Sequence, residues 1–229
     1  MPVADGSIEG MKVEIWSDVN CPFCYLGVSQ FNEALADFDH ADQTEVIHRS
    51  FELDPTQPRG ASGDVVAHLA GKYGFSEEQA AQGELQIAQK AEEFGLPYVT
   101  SGRDFGDSFD MHRLVHFAGE SGRAEDMLLA LFHANFGEEE KLFGSHERLV
   151  KIAVYEGFDE AQVRAVLADP ERYAQAVRDD EELARELRCQ GVPYFVADRH
   201  FVLSGAQPAE TYLDFLNQSW EHYSGTTST

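Results

Sequence analysis

The segment Met11-Lys12-Val13-Glu14-Ile15-Trp16 alternates apolar and polar side chains with β-branched character, the period of a strand. Directly after it Leu26, Phe31, Leu35 and Phe38 recur at near-helical spacing, and Pro22 stands where a first helical turn tolerates proline. Thr44 to Phe51 reads as a second strand, which Pro55, Pro58 and Gly60 close. The three segments predict a strand, helix, strand unit.

From Ser62 to about Gln190 the period is helical throughout. Ser62 precedes Val65, Val66, Leu69 and Tyr73. Ser76 with Gln79 forms a capping-box pattern ahead of Leu85, Ile87 and Phe94, which Gly95 and Pro97 stop. Further helices are predicted over 108–120, 124–136, 145–155, 159–167 and 170–188. After Gly191-Val192-Pro193 the pattern returns to β, with Tyr194 to Ala197, a tight turn at Asp198-Arg199, and His200 to Ser204. A last helix is expected from Pro208 to Tyr223. No fixed-period repeat runs through the helical block, so it reads as an insertion rather than a solenoid. The predicted organisation is an α/β domain in two parts, 1–61 and 189–223, split by an all-helical insertion over 62–188, with a disordered tail at 224–229.

With 229 residues, 43% of them hydrophobic, the chain can bury a full core without covalent staples. Three cysteines are too few for a disulfide scaffold, and the start Met1-Pro2-Val3-Ala4-Asp5-Gly6-Ser7 has neither the basic nor the apolar character of a secretion signal. A cytoplasmic location is therefore expected. No apolar run approaches the roughly 18 residues of a membrane span, so no membrane partner is expected. The net charge of -24 repels phosphate backbones and argues against nucleic acid as a partner. Runs such as Glu138-Glu139-Glu140 read as solvated faces.

Chemistry enters with Cys21-Pro22-Phe23-Cys24 at the joint between the first strand and the first helix. Two thiols separated by two residues can close a short disulfide ring, and a first thiol at a helix N-terminus feels the positive end of the backbone dipole, which favours thiolate. Cys21 is the expected nucleophile, exposed, with Cys24 buried behind it. Cys-x-x-Cys beside a βαβ pattern reads as thioredoxin-like redox chemistry, and the order of elements is that of a thioredoxin-like fold split by an insertion. The competing readings are packing cysteines or zinc. His112 and His116, four apart on one helix face, would complete a two-Cys, two-His set. Their separation from Cys24 far exceeds that of a compact finger, and Arg113 stands where a His-Glu-x-x-His motif carries glutamate, so no metal ligands are assigned. His112 is instead expected to border the substrate groove. His116 reads as a satisfied or exposed helix histidine, Cys189 as a small hydrophobe rather than a resolving thiol, and Asp18 as a turn or cap residue rather than a proton acceptor for Cys24.

Taken with Ser17-Asp18, Tyr25-Leu26-Gly27, Phe109-Asp110-Met111-His112-Arg113-Leu114, Leu131 to Phe136, Gly191 to Val196 and Ser204-Gly205-Ala206-Gln207-Pro208, the chain resembles the DsbA family, specifically its cytoplasmic FrnE-like branch. The resemblance implies disulfide exchange with client proteins or small thiols, glutathione among them, without a bound cofactor beyond a redox-active Cys21-Cys24 pair. It also implies a cis peptide at Pro193 beside the sulfurs, exposing the backbone of Val192 for strand-like pairing with a client. Phe23 occupies the position at which a strong periplasmic oxidant carries histidine, which implies a less oxidising couple. The expected mechanism has Cys21 form a mixed disulfide that Cys24 resolves. The expected groove comprises Pro22, Phe23, Val192, Pro193 and His112, with Phe109, Phe117 and Phe136 as candidate apolar walls. The alternatives are a glutathione-dependent isomerase or transferase like the 2-hydroxychromene-2-carboxylate isomerases and kappa-class transferases, and a zinc-binding or chaperone-like binding module. The former resemble the chain in topology but carry serine at the position of Cys21. A monomer or homodimer is expected.

Overall fold

The computed structural model describes residues 10–227, so the N-terminal segment that lacks secretion-signal character lies outside the described residues. The first unit is β1 (Met11–Ser17), α1 (Pro22–Ala36) and β2 (Thr44–Ser50), with β1 and β2 parallel in register from Met11 against Thr44 to Ser17 against Ser50. The chain closes with β5 (Tyr194–Ala197), β6 (Phe201–Ser204) and α9 (Ala209–Thr227). β5 runs antiparallel to both β1 and β6, giving a four-stranded sheet in the order β2-β1-β5-β6. The β5 to β6 turn places both Asp198 and Arg199 at positive φ, 46° and 59°, the twist a tight hairpin requires.

Both faces of β1 are covered. Met11, Val13 and Ile15 join the main core with Val28 and Phe31 of α1 and Tyr212 and Leu216 of α9. Phe31 sits between Phe195 and Tyr212, with ring centroids 5.3 and 5.8 Å away. On the opposite face Trp16, Tyr194 and Val196 form a smaller cluster with Ala184. Ala184 lies on α8 (Ala174–Glu186), which is fixed to the sheet by Asp180. That carboxylate accepts from Arg49 Nη1 at 2.9 Å and from the Ser50 amide at 2.9 Å, while Trp16 Nε1 donates to its backbone carbonyl.

Between the two halves lie β3 (Ser62–Asp64), α2 (Val65–Tyr73), α3 (Glu77–Glu93), β4 (Asp104–Gly106), α4 (Phe109–Gly119), α5 (Ala124–Phe132), α6 (His146–Tyr155), α7 (Glu160–Ala168) and α8. The insertion is thus helical apart from a two-stranded ladder, β3 against β4, which corrects the all-helical expectation. Ser62 is consumed by that ladder, and Asp64 takes over as the α2 cap by accepting from the Ala67 amide at 2.9 Å. The Ser76 and Gln79 capping box forms at α3 as expected.

Two predicted helices are shortened. α8 begins at Ala174 rather than Pro170 because Tyr173 adopts a left-handed conformation, φ 61°. α5 gives way at His133 to a wider π turn through Gly137, which brings Asn135 round to the dithiol loop. At the far end α9 continues to Thr227, so residues 224–227 are helical rather than a disordered tail, and 228–229 lie outside the described residues.

Candidate active site

The loop between β1 and α1 is tied from three directions. Asp18, wholly buried, accepts from the Asn20 amide at 3.1 Å and from the Leu53 amide at 2.7 Å, while its own carbonyl takes the Cys21 amide at 2.9 Å. The Asn20 side chain pairs with the Gly106 backbone like a strand residue, donating at 2.8 Å and accepting at 3.4 Å. Asn135, from the π turn, donates to the Val19 carbonyl at 2.7 Å. The insertion is therefore part of the site's frame. Asp18 is a turn residue, as its sequence context suggests.

Cys21 is the N-cap of α1, with extended backbone angles and Pro22 in the first helical position. No side chain caps this terminus, so the positive end of the helix faces the sulfur. Behind it Cys24 is wholly buried. Burial pushes the Cys24 thiol well above its ordinary range, and its hydrogen bond to Cys21 and the Cys21 charge push the same way. Cys24 is the sulfur held protonated. Cys21 corrects one expectation, for only 4% of it is exposed. Its access is a groove of about 340 Å³, walled by α2, α3 and β4 through Val65, Leu69, Ile87 and Phe105, which cover the helix end that sequence alone leaves open.

The Val192–Pro193 peptide is cis. Cys21 Sγ donates to the Val192 carbonyl at 3.5 Å, and Gly191 and Val192 line the groove. Pro193 itself packs away from the groove lining onto α1. A Cβ at Gly27 would lie 2.8 Å from Pro193 Cγ and 3.0 Å from the Tyr212 hydroxyl, so this close approach of loop and helix needs glycine. Pro22 and Phe23 also line the groove, with Phe23 46% exposed at its mouth.

His112 does not border the groove. It is buried behind the dithiol loop, with Nε2 3.5 Å from Asp18 Oδ1, an ion-pair separation. Burial opposes its charged form, but Asp18, with Glu52 and Glu181, outweighs burial and raises its pKa. The α4 helix is buried on most sides, and the side that carries His112 faces Asp18 of the loop rather than the groove. His116 faces a different carboxylate, Asp180, at 3.0 Å, with Ser50 Oγ at 3.1 Å. Among the described residues no cluster of three or more His, Cys, Asp or Glu could hold a metal ion.

The candidate walls Phe109, Phe117 and Phe136 lie elsewhere. Phe109 is sandwiched by the Arg59 and Arg178 guanidiniums, Phe117 packs on Phe158 and Tyr173, and Phe136 stacks between Tyr25 and Tyr98. Cys189 is half-buried, with Sγ donating to the Gly191 carbonyl at 3.3 Å, and burial raises its pKa.

Sequence reasoning missed Glu84, Arg103, His68 and Lys72, all on the groove wall. Glu84 was detectable, as a carboxylate on the stripe of α3 that also buries Ala80 and Ala91. It is 2% exposed and held by Arg103 and, at 3.1 Å, by the Tyr98 hydroxyl. Nothing local marks Arg103, whose partner lies on another element.

A dithiol at the mouth of a helix, beside a cis-proline loop on a four-stranded sheet of this order, defines a thioredoxin-fold protein. The chain belongs to the DSBA-like thioredoxin domain family, whose pattern it matches over residues 12–217. It is similar to a probable DsbA oxidoreductase, SCO1869, from Streptomyces coelicolor, at 50% identity over 92% of this chain and 90% of that one, with a TM-score of 0.89. The cytosolic disulfide reductase DsbM from Pseudomonas aeruginosa, solved with GSH, shares the fold at 22% identity over 92% and 99% of the two chains, TM-score 0.66. A 2-hydroxychromene-2-carboxylate isomerase shares it at 15% identity over 95% and 98%, TM-score 0.63. Among the described residues no helix is long and apolar enough to cross a membrane.

Proposed function

We propose that the protein is a thiol-disulfide oxidoreductase of the FrnE-like branch, acting in the cytoplasm on client-protein or small-molecule thiols and disulfides, glutathione included, with no cofactor beyond the Cys21-Cys24 pair. One observation carries the reading: Cys21, at the N-terminus of α1 and on the groove wall, stands in front of a wholly buried partner thiol, Cys24, three positions further along the chain. The Cys21 thiolate attacks one sulfur of a bound disulfide, and the other sulfur leaves as a thiolate that takes up a proton. Cys24 then gives up its proton and attacks Cys21 Sγ, releasing the second thiol and leaving the two cysteines joined. The substrate gains two electrons and the enzyme loses them. Run backwards, the same steps put a disulfide into a client, and the reduction potential of the pair against the ambient pool sets the direction. Val192, Pro22 and Phe23 frame the groove in which the mixed disulfide forms, with Pro193 holding the Val192 loop against α1.

The test is exchange by the Cys21→Ser and Cys24→Ser variants. Insulin reduction or refolding activity is expected to vanish in Cys21→Ser, and Cys24→Ser is expected to accumulate the mixed disulfide on Cys21, visible as a mass adduct. Exchange that survives in Cys21→Ser overturns the reading. Glutathione-dependent isomerase activity surviving Cys24→Ser would instead favour the transferase-like class, and one equivalent of tightly bound zinc at pH 7 would favour a metal-binding module.

A further inference from the structure

We propose that the inner wall of the dithiol groove is a carboxylate-recognition subsite, in which Lys72 and His68, backed by Arg103, select small disulfides and thiols that carry a carboxylate. The inference rests on the oxidoreductase reading and adds the substrate class.

In a chain of net charge -24, the groove that holds Cys21 carries three nitrogen groups on its wall, Lys72, His68 and Arg103. Arg103 is 5% exposed, and its Nη1 holds Glu84 and Tyr98 while its Nε has no partner. His68 stacks on Phe105 with ring centroids 3.6 Å apart, and its buried Nε2 is likewise unpartnered. Lys72 Nζ makes a 3.4 Å contact to the Leu53 carbonyl and lies 6.0 Å from the Phe105 ring. Buried donors left without acceptors cost free energy that a ligand oxygen recovers on binding. Two acids stand near this wall. Glu84 is taken by Arg103 and Tyr98, whereas Asp54, held by Thr56 and Gln57, keeps a charge that reaches both Lys72 and His68 and offsets part of their pull on an anion.

The donor set also chooses among anions. Burial, with Lys72 adding to it, lowers the His68 pKa, so the ring faces the groove neutral. With Arg103 already paired, the Lys72 ammonium and a neutral imidazole suit a singly charged carboxylate better than a dianionic phosphate. The volume of about 340 Å³ and the apolar Val65, Leu69 and Ile87 beside the donors fit a small molecule with short aliphatic arms, its sulfur at Cys21 and its acid group at Lys72.

The experiment oxidises the reduced enzyme with three small disulfides of matched size: 3,3′-dithiodipropionate, neutral 2-hydroxyethyl disulfide and cationic cystamine. In each reaction Cys21 and Cys24 lose two electrons and the probe becomes two thiols. Each rate is divided by that of free dithiothreitol with the same probe, which removes leaving-group differences. The expected result is a normalised preference of about tenfold for dithiodipropionate over hydroxyethyl disulfide, the scale of one charge-assisted hydrogen bond. That ratio should fall toward one in Lys72→Met and in His68→Phe. Because it is measured within each variant, the fraction of folded protein cancels. A second pair, cysteine-peptide disulfides differing only by Glu or Gln next to the cysteine, separates free small acids from acidic client segments, and parity is expected there. A ratio near one in the native enzyme, a preference for cystamine, a preference that survives both substitutions, or one confined to the peptides overturns the carboxylate subsite. Exchange with none of the probes overturns the oxidoreductase reading itself.

Discussion

The sheet with α1 and α9, and the α2-α3 pair that walls the groove, are packed to very different degrees. Met11, Val13, Ile15, Val28, Phe31 and Tyr212 are completely buried, whereas α2 buries only Val65 and α3 only Ala80, Glu84 and Ala91. At α2 and α3 large apolar groups stay in water, with Tyr73 57%, Phe75 52% and Leu85 46% exposed. The first region holds two sulfurs in place and the second walls the groove beside Cys21. Local stability follows burial, so the wall belongs to the part of the molecule that opens most easily while the dithiol frame stays closed. The dithiol loop is tied to β4, beside the wall, through Asn20 on Gly106, and to the π turn after α5 through Asn135 on Val19.

The largest expected break of this contrast is Phe31→Ala. The ring is completely buried between Phe195 and Tyr212, and its removal should cost about 3–5 kcal/mol in a urea melt.

A smaller effect on the same side of the comparison is titratable. His48 of β2 is buried with neither ring nitrogen partnered, and burial lowers its pKa to about 4. The unfolded chain takes up this proton near the ordinary value of about 6.5 and the folded one does not, so stability falls as pH drops from about 6.5 toward 4. Between pH 7 and 5 the loss should be about 2 kcal/mol, and His48→Leu should remove it. His112 works in the opposite sense, since its raised pKa contributes stability at low pH that is lost as pH rises through the folded value. Native and His48→Leu melts compared at both pH values isolate the first effect, and equal slopes would refute it.

The smallest expected change is on the wall. Tyr73→Ser, at an exposed ring stacked only on Phe75, should alter stability by less than about 0.5 kcal/mol while slowing exchange with apolar disulfides. A large destabilisation would mean that α2 is as much part of the frame as α1.

The same division governs what could be read ahead of the structure. β1, α1 and β2 end within about two residues of their sequence patterns, because a period-2 run, a helix opened by Pro22 and a Pro-terminated strand are local signals, backed in β1 and along the inner face of α1 by burial. The capping box at Ser76 is equally local. By contrast the β3-β4 ladder joins two three-residue segments about forty positions apart, too short for any periodicity to register. Tyr173 delays the start of a helix that its neighbours would have begun earlier, and the π turn after Phe132 carries Asn135 to a partner, Val19, more than a hundred residues away in the chain.

The amino-acid sequence alone determined the thiol pair at a strand-to-helix joint, the proline that follows a glycine and a valine ahead of β5, and the split of one α/β domain by a mostly helical insertion, because these depend on spacing and backbone preference within short windows. Only the tertiary structure decided that Cys21 is nearly enclosed, that His112 lies behind the loop rather than in the groove, and that His68, Lys72 and Arg103 line the same groove as Cys21. Burial and the pairing of charges belong to surfaces brought together from distant parts of the chain, and no local pattern carries the distance between them.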